Sequence, residues 1–375
     1  MRLAIIYWPT SSVGGIATHL NSLRTCAIRN GDSCDILRSG NHKNLRAEKF
    51  DERKWIRGGD TKIWIDGELP HSAGRIEESI RWLENNYDAI HFGFLCPHPT
   101  KAYPSPAFLP LFEDTNLPKS ATITDGYWDD YAEWGEKCLP HLNVVTTSGL
   151  NYANSLIERG IDVLPLGMPF VPALGRYARK ESKPLLIWPN QWKNIKGINS
   201  FLGCIPNLPE AVDVELYSCG IRYYQLRTQA LWLDAVFEDR FKGFPGRGRA
   251  VYFGNVSLEE IYTAFQRAWF TVCLQGMTSR KAAYRQGSYN NTELEALFYG
   301  AMPILHESTL NTDIPKEVYA AVSSGDEIPD LVEKLIRDGT ALNSERREKA
   351  RDFVMQNYSA MKQYLIIRER LLASY

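Results

Sequence analysis

The sequence predicts an α/β protein in which two successive β/α domains face a central cleft. Two short, wholly apolar segments, at residues 3–8 and 185–188, are typical of parallel strands that are buried on both faces. Each segment is followed by a loop and an amphipathic helix, so the β/α pattern begins twice. A connection rich in proline and glycine, residues 164–184, separates the two runs and indicates a domain boundary.

The remaining elements follow in order along each run. In the first run we expect helices at 16–29 and 76–83 and further strands at 33–37, 88–94, 121–125 and 144–148. In the second run we expect strands at 212–217 and 270–274, a helix at 197–202, and another helix that opens with a capping box at Ser257 and Glu260. One long helix is expected at 344–375. The cleft should lie where the carboxyl ends of the two sets of strands face each other.

Composition and charge limit the classes of function. The 375 residues are 44% apolar and carry a formal net charge of −1, which predicts globular domains without a general attraction to nucleic acid. A basic segment at residues 240–249 leaves a local contact with DNA phosphates open. Asp129 and Asp130 are adjacent and lack Asp-x-Asp spacing, so no metal site is expected.

Cysteine usage and hydropathy bear on location. Seven scattered cysteines without a Cys-x-x-Cys pair predict reduced thiols in a cytoplasm. The first strand begins at residue 3, and no apolar run reaches membrane-spanning length. We therefore expect neither a signal peptide nor a membrane partner.

The most informative segment, residues 288–305, reads as a loop, a helix and a buried strand. Asn290, Asn291 and Thr292 can cap the helix, and Gly300 suits a left-handed helix end. Glu295 is then expected in the first helical turn, where its carboxylate can hold ribose hydroxyls while free amides hold phosphates. The alternative is a capping box in which Glu295 only closes its own helix with Thr292.

Two loops offer further contacts for a phosphorylated ligand. Gly14 and Gly15 lie between a buried strand and a helix, where they let backbone amides approach a phosphate or sugar, or simply form a tight turn.

The second such loop, residues 189–197, contains Gln191, Lys193 and Lys196, and ends at Gly197. Its lysines can stabilise a leaving diphosphate, or can be solvated surface charges. Arg280 belongs to a group of three cations that precedes the Glu295 helix, close to the predicted ligand.

An acceptor-side loop follows the strand at 121–125. Asp125 is followed by Tyr127 and Trp128, whose rings can stack on a base or a sugar, although this loop also reads as the start of an amphipathic helix. His19 and His91 can line the cleft, or each can be a structural histidine.

The helix with Glu295, Ala296 and Gly300, followed by Pro303, resembles the nucleotide-sugar site of GT-B glycosyltransferases. Lys196-Gly197 matches a Lys-Gly pair of that family. Two positions depart from its pattern, because Gln191 stands where the family has arginine and Gly287 where it has a glutamate.

One subgroup fits the donor segment better. The run of Tyr284, Gln286 and Ser288, followed by Thr292 and Glu295, resembles the DNA α-glucosyltransferases of T-even bacteriophages. Ser288 is therefore assigned to the donor site. The resemblance is patchy around residues 40–75 and 205–250.

This resemblance implies a GT-B fold of two Rossmann-like domains: an acceptor-side domain at 1–167, rejoined by a C-terminal helix at about 355–375, and a nucleotide-sugar domain at 168–354. It implies UDP-glucose as donor, no required metal or cofactor, and retention of anomeric configuration. The implied acceptor is the hydroxymethyl group of a modified pyrimidine in double-stranded DNA, with Asp125 beside it. Two departures concern the sugar and the acceptor: Thr124 replaces a histidine of the family, and Asn290 replaces a glutamate.

The leading hypothesis is a monomeric, retaining glycosyltransferase that modifies phage DNA in the host cytoplasm. Two alternatives stay open. One is a GT-B transferase that acts on a glycan or lipid-linked sugar, since the net charge gives DNA no general attraction. The other is a non-catalytic nucleotide-sugar-binding protein, since Gln191 and Gly287 depart from the family pattern.

Overall fold

The computed structural model describes residues 1–7, 15–38, 50–51, 66–69, 76–98, 101–103, 108–123, 137–147, 150–158, 160–167, 169–172, 180–190, 197–218, 250–274, 291–309 and 314–374. The described residues form two β-sheets, and helices pack against both faces of each sheet. The predicted α/β class is confirmed.

The first sheet has the strand order β3-β2-β1-β4-β6-β7-β8, and every neighbouring pair on this path is parallel. A short strand, β5, pairs antiparallel with β4. The strands are β1 (Arg2–Tyr7), β2 (Ser33–Arg38), β3 (Gly67–Glu68), β4 (Ala89–His98), β5 (Lys101–Tyr103), β6 (Lys119–Ile123), β7 (Val144–Thr147) and β8 (Leu164–Pro165). The helices of this part are α1 (Gly15–Arg29), α2 (Ile76–Asn86), α3 (Leu109–Glu113) and α4 (Leu150–Glu158).

Both faces of the first sheet are covered, which explains why its strands are almost wholly apolar. In β1, Ala4 and Ile6 face the cluster that includes residues of α2, α3 and α4. Leu3, Ile5 and Tyr7 face the cluster that includes residues of α1 and of the last helix of the chain. Alternate residues of one strand therefore serve two cores.

The second sheet has the order β11-β10-β9-β12-β13-β14 and is parallel throughout its described pairs. Its strands are β9 (Leu185–Trp188), β10 (Asp213–Ser218), β11 (Ala250–Asn255), β12 (Phe270–Cys273), β13 (Met302–His306) and β14 (Ala320–Val322). Its helices are α5 (Ile198–Cys204), α6 (Leu258–Arg267), α7 (Asn291–Tyr299) and α8 (Ile328–Arg337). The sequence did not predict β11.

The predicted capping box at the start of α6 is confirmed. The Glu260 amide donates to Ser257 Oγ over 3.1 Å, and the Ser257 amide donates to Glu260 Oε2 over 2.7 Å. This local pairing fixes where α6 begins.

Each sheet has one point at which the strand order reverses. In the first sheet it lies between β1 and β4, and in the second between β9 and β12. In open α/β sheets, ligands bind outside the carboxyl ends of the strands at such a switch point. Functional side chains are therefore expected at these two places.

The expectation of one long C-terminal helix is wrong. The chain forms α9 (Ser344–Tyr358) and α10 (Ala360–Leu372), separated by Ser359 with φ −57° and ψ 119°. The amide of Ala360 donates to the Phe170 carbonyl over 2.9 Å, and the Phe170 amide donates to the Tyr358 carbonyl over 2.7 Å. This pairing with a distant segment takes Ser359 out of the helical conformation, and no glycine or proline marks the break.

After the break, α10 returns to the first sheet. Its residues Tyr364 and Ile367 lie in the same core cluster as Leu3. The Tyr364 hydroxyl and Arg368 Nε each donate to Asp32 over 2.8 Å. Burial opposes ionisation of Asp32, but the hydrogen bonds from Arg368 and Tyr364 contribute to holding its pKa well below the usual range. The helix α10 therefore packs against the first sheet. The predicted domain bounds, including the return of the C-terminal helix to the first domain, stay predictions.

Other sequence-based expectations concern thiols and membranes. Cys26, Cys34, Cys138, Cys204 and Cys273 are buried, and none of these five forms a disulfide bond. Among the helices in the described ranges, none combines the length and the apolar character needed to cross a bilayer. In the same ranges, no group of three or more metal-ligating side chains comes together.

Candidate functional site

The switch point of the second sheet is closed by a buried amide side chain. Asn190 lies two residues after the end of β9 and is only 7% exposed. Its Nδ2 donates to the Val272 carbonyl over 2.9 Å and lies 3.9 Å from Cys273 Sγ. The first residues after β9 are thereby attached to the carboxyl end of β12, a contact that the sequence did not predict.

The same loop returns to β12 at Gly197. This glycine has φ +80° and immediately precedes α5. A Cβ at this position would lie 2.5 Å from Leu274 Cβ and 2.9 Å from the Leu274 carbonyl oxygen. Both ends of the loop at 191–196 therefore lie against the end of β12. Gln191, Lys193 and Lys196 themselves lie outside the described residues and stay predictions.

Gly197→Ala is expected to lower the free energy of unfolding by about 2–3 kcal/mol. A left-handed backbone costs a non-glycine residue about 1–2 kcal/mol, and displacement of Leu274 adds to this. Urea denaturation measures the change. Gly339→Ala is the matched control, because Gly339 has φ +67° with open space around it, so only the backbone cost applies. Equal losses in the two variants would contradict the role of the Leu274 contact.

The helix of the predicted donor segment, α7, lies between β12 and β13, so its N-terminal end lies at the carboxyl edge of the second sheet. Gly300 follows it with φ +81°, which confirms the predicted left-handed helix end. Because α7 already begins at Asn291, the placement of Glu295 in the first turn is wrong. Glu295 is the fifth residue of the helix, and Glu293 is the acidic residue of the first turn.

Glu295 is buried, with 7% of its surface exposed. Burial raises the pKa of Glu295 to about 7, while the nearby Tyr262 side chain of α6 lowers it. Thr292 lies inside the helix, so the capping-box alternative does not describe this glutamate. An ionised carboxylate has about four acceptor positions, which gives room for ligand hydroxyls. No pattern in the sequence pointed to Tyr262.

Of the predicted donor residues Gly14, Gly15, Arg280 and Ser288, the structure describes Gly15. Gly15 is the first residue of α1, which begins at the switch point of the first sheet. Gly14, Arg280 and Ser288 lie outside the described residues. Their assignment to the donor site stays a prediction.

The predicted acceptor loop starts at the carboxyl edge of the first sheet. The strand that leads into it, β6, ends at Ile123, two residues before Asp125. Asp125, Tyr127 and Trp128 themselves lie in residues 124–136, outside the described part of the chain. The loop therefore begins at the carboxyl edge of the sheet, which is the edge where ligands bind in α/β proteins. The roles of its side chains stay predictions.

His91 is fully enclosed in the first sheet. It lies in β4 with 1% of its surface exposed. Its Nδ1 is 2.9 Å from Ser120 Oγ and its Nε2 is 3.3 Å from Thr122 Oγ1, both on the neighbouring strand. Burial lowers the pKa of His91 to about 4, so the ring is neutral at pH 7. These contacts favour a structural histidine.

His19 lies in α1 close to His91 and is 3% exposed. Within the part of the chain that the structure describes, neither of its ring nitrogens has a hydrogen-bond partner. Burial, and after it the proximity of His91, lowers the pKa of His19 to about 3. The two predicted histidines are thus brought together, although as buried neutral groups; whether they contact an acceptor stays a prediction.

The sequence did not point to the hydroxyl groups that contact His91. Thr122 Oγ1 lies 2.8 Å from Thr146 Oγ1 and also reaches His91. The available signal was polar residues at alternate positions, Ser120 and Thr122, in a strand that is otherwise apolar at its centre. Such a row in a buried strand indicates that polar side chains satisfy one another inside the core.

Comparisons with known proteins identify the fold. No protein-family model matches the sequence, and no curated protein matches it. Among solved structures, HepE from Anabaena in complex with UDP and glucose is 11% identical over 100% of both chains, with a TM-score of 0.69. Sucrose-phosphate synthase from Thermosynechococcus elongatus is 14% identical over 100% of both chains, with a TM-score of 0.64.

A third similar structure is an α-glucosyltransferase in complex with UDP and a 13-mer DNA that contains a central A:G mismatch. It is 15% identical over 98% of this chain and 100% of the other, with a TM-score of 0.66. Another similar structure is an α-glucosyltransferase in complex with UDP and a 13-mer DNA that contains an HMU base, 14% identical over 99% of both chains with a TM-score of 0.66. At these identities the likeness establishes the fold alone, and the predicted GT-B fold is confirmed.

Proposed function

We propose that the protein is a retaining glycosyltransferase that takes a sugar, glucose in the first instance, from a UDP-sugar. The observation that carries this proposal is the buried Glu295 carboxylate, which lies in the helix that begins at the carboxyl edge of the second sheet. Two of the three structurally similar proteins were solved with UDP, which supports the same choice of donor.

The donor half of the reaction follows from charge. The ionised Glu295 accepts hydrogen bonds from ribose hydroxyls, and amides at the start of α7 face the phosphates. When the bond between the anomeric carbon and the diphosphate oxygen breaks, negative charge develops on the UDP. Lys193 and Lys196, with Gln191 between them and β9, are assigned to stabilise it.

In the acceptor half, an acceptor hydroxyl oxygen forms the new bond to the anomeric carbon. The attack takes place on the face from which UDP leaves, so the configuration is retained. Asp125 is assigned to receive the hydroxyl proton. The proton, the sugar and the UDP anion are then all accounted for without a further reactant.

The acceptor we propose is the hydroxymethyl group of a modified pyrimidine in double-stranded DNA. Such a base has to leave the stack to be modified, and Tyr127 and Trp128 offer rings on which it can lie. The likeness to an α-glucosyltransferase solved with DNA supports this choice. A glycan or other small sugar acceptor is the second candidate, because the net charge of −1 provides no general attraction to DNA and sucrose-phosphate synthase shares the fold.

Acceptor and donor are identified together by one experiment. The protein is incubated with UDP-glucose, UDP-galactose or UDP-N-acetylglucosamine, and with either hydroxymethylcytosine DNA or a mixture of oligosaccharides and sugar phosphates. Mass analysis of digested nucleosides should show a hexose added to the modified base. A hexose found only on the soluble sugars would favour the second candidate, and UDP-sugar binding without any transfer would favour a binding protein.

Donor binding should depend on Glu295. By calorimetry with UDP-glucose, Glu295→Ala is expected to lose roughly 1.5–3 kcal/mol of binding free energy, as for a hydrogen bond to a charged group. Glu181→Ala is the control. Glu181 pairs with Arg267, and its amide donates to the Arg267 carbonyl. Glu181 comes just before β9 and Arg267 just before β12, so this pair lies at the amino edge of the second sheet, away from the proposed donor site. Unchanged affinity in Glu295→Ala would remove this residue from the donor site.

A further inference from the structure

Asn190 presents a fixed amide at the switch point of the second sheet. It is 7% exposed and comes two residues after β9, at the start of the loop that ends at Gly197. Its Nδ2 donates to the Val272 carbonyl over 2.9 Å and lies 3.9 Å from Cys273 Sγ. Val272 and Cys273 are the last two residues of β12, which pairs with β9 across the switch point. The donor side of this amide is therefore bound to the neighbouring strand.

The orientation of the amide follows from these contacts. A carbonyl oxygen can only accept a hydrogen bond, so the nitrogen of the amide, and not its oxygen, faces Val272. The bond opposes rotation about the last torsion of the asparagine side chain, which is otherwise broadly distributed. Leu274 lies against Gly197 at the other end of the same loop. The end of β12 thus holds both ends of the loop and sets the direction of the amide.

The acceptor side of the amide stays available. Among the described residues no donor is bonded to Asn190 Oδ1, and this oxygen is not fully enclosed. Nearly all buried polar groups in proteins have a hydrogen-bond partner. Because the carboxyl edge of a sheet at its switch point is where ligands bind, a largely buried acceptor there indicates a donor group on the ligand.

The chemistry of this oxygen selects the group that it can bind. Phosphate oxygens only accept hydrogen bonds once ionised, so the diphosphate proposed for the adjoining loop has nothing to donate to Asn190 Oδ1. The donors next to the diphosphate of a UDP-sugar are the hydroxyls of the ribose on one side and of the hexose on the other. The ribose hydroxyls are assigned to Glu295, which leaves those of the hexose. A neutral amide accepts them without the repulsion that a carboxylate would exert on the diphosphate.

We propose that Asn190 is a specificity-determining residue for the transferred sugar: its Oδ1 accepts a hydrogen bond from a hydroxyl of the hexose, while its Nδ2 stays bound to β12. This role rests on the proposed UDP-sugar donor. It adds a contact with the hexose itself to the contacts proposed for the ribose and the diphosphate.

The test compares the affinities of wild type and Asn190→Ala for UDP and for UDP-glucose by calorimetry. Alanine removes the acceptor. The variant is expected to bind UDP-glucose about 3- to 10-fold more weakly than wild type, as for one lost hydrogen bond. Its affinity for UDP, which has no hexose, should change by less than about 2-fold. The melting temperature shows whether the variant is folded.

Analogues of UDP-glucose that each lack one hexose hydroxyl identify the group that is bound. With wild type, at least one analogue should bind about 3- to 10-fold more weakly than UDP-glucose. With Asn190→Ala this difference should disappear, because the contact is already absent. If every analogue binds wild type as tightly as UDP-glucose does, the role of Asn190 is wrong, whether or not the variant folds.

Asn143→Ala is the matched control. Asn143 Oδ1 accepts from the Lys119 amide over 2.7 Å, so this side chain also connects one strand to its neighbour. It directly precedes β7, at the amino edge of the first sheet. This variant should lower the melting temperature without changing the affinity for UDP or for UDP-glucose.

The outcomes are distinct. A wild-type protein that binds neither UDP nor UDP-glucose would overturn the proposed function and the role of Asn190 together. If a folded Asn190→Ala weakens the binding of both ligands equally, Asn190 only holds the loop, and the proposed donor stands. Unchanged affinity for UDP-glucose in that variant would likewise remove Asn190 from the sugar site.

Discussion

Acidification from pH 6.5 to 4.5 is expected to destabilise the protein through His19 and His91. Their folded pKa values, about 3 and about 4, lie below the usual histidine value. The two neutral histidines contribute fully to the free energy of unfolding above pH 6.5. This contribution is lost as the pH falls towards their pKa values in the folded protein, because over that range only the unfolded chain takes up protons. Over two pH units the pair accounts for about 5 kcal/mol at most.

Glu295 acts in the opposite direction over the same window. The pKa of Glu295 in the folded protein, about 7, is above its usual value. Glu295 therefore adds to the free energy of unfolding at low pH, and this contribution is lost as the pH rises through 7. Between pH 6.5 and 4.5 it offsets roughly half of the histidine effect, by the same relation of about 1.4 kcal/mol per pH unit. Asp32, whose pKa is held low, has its effect below this window.

Chemical denaturation at pH 6.5, 5.5 and 4.5 measures the prediction. The variant His19→Gln/His91→Gln should have a smaller loss of stability on acidification than wild type, even if it is less stable at pH 6.5. His141→Gln is the control, because His141 is about one-third exposed and its Nε2 lies 3.9 Å from Glu113 Oε1. If wild type and the double variant lose the same free energy, the buried pair does not control acid unfolding.

Asp125→Asn is expected to lower turnover by about 10²- to 10⁴-fold, the usual contribution of a positioned proton acceptor. UDP affinity should stay near wild type, since the proposed donor contacts belong to the second sheet. In the sequence, Asp125 comes two residues after the carboxyl end of β6. Single-turnover kinetics with saturating UDP-glucose separates this loss from a change in binding.

A structural role for Asp125 predicts a different result. If its carboxylate caps the loop that carries Tyr127 and Trp128, Asp125→Asn would lose thermal stability together with activity. Asp129→Asn, in the same loop, controls for the removal of a negative charge. A folded Asp125→Asn protein with near-normal turnover would exclude Asp125 from the proton transfer.

The sequence by itself determined the features that depend on neighbours along the chain. The apolar segments near residues 3–8 and at 185–188 became β1 and β9, because strands buried on both faces need apolar residues at every position. Ser257 and Glu260 formed their capping box three residues apart. Gly300 adopted the left-handed conformation because glycine takes it without steric cost.

Only the tertiary structure decided the contacts between distant segments. The break at Ser359 depends on Phe170, and the surroundings of Glu295 depend on Tyr262 in another helix. His19 and His91 meet because α1 packs onto β4, which no spacing in the sequence encodes. Helix starts and turns follow from local hydrogen bonding. The pairings between distant segments follow from how each sheet and its helices pack around their own core clusters, where packing sets the partner of each buried polar group.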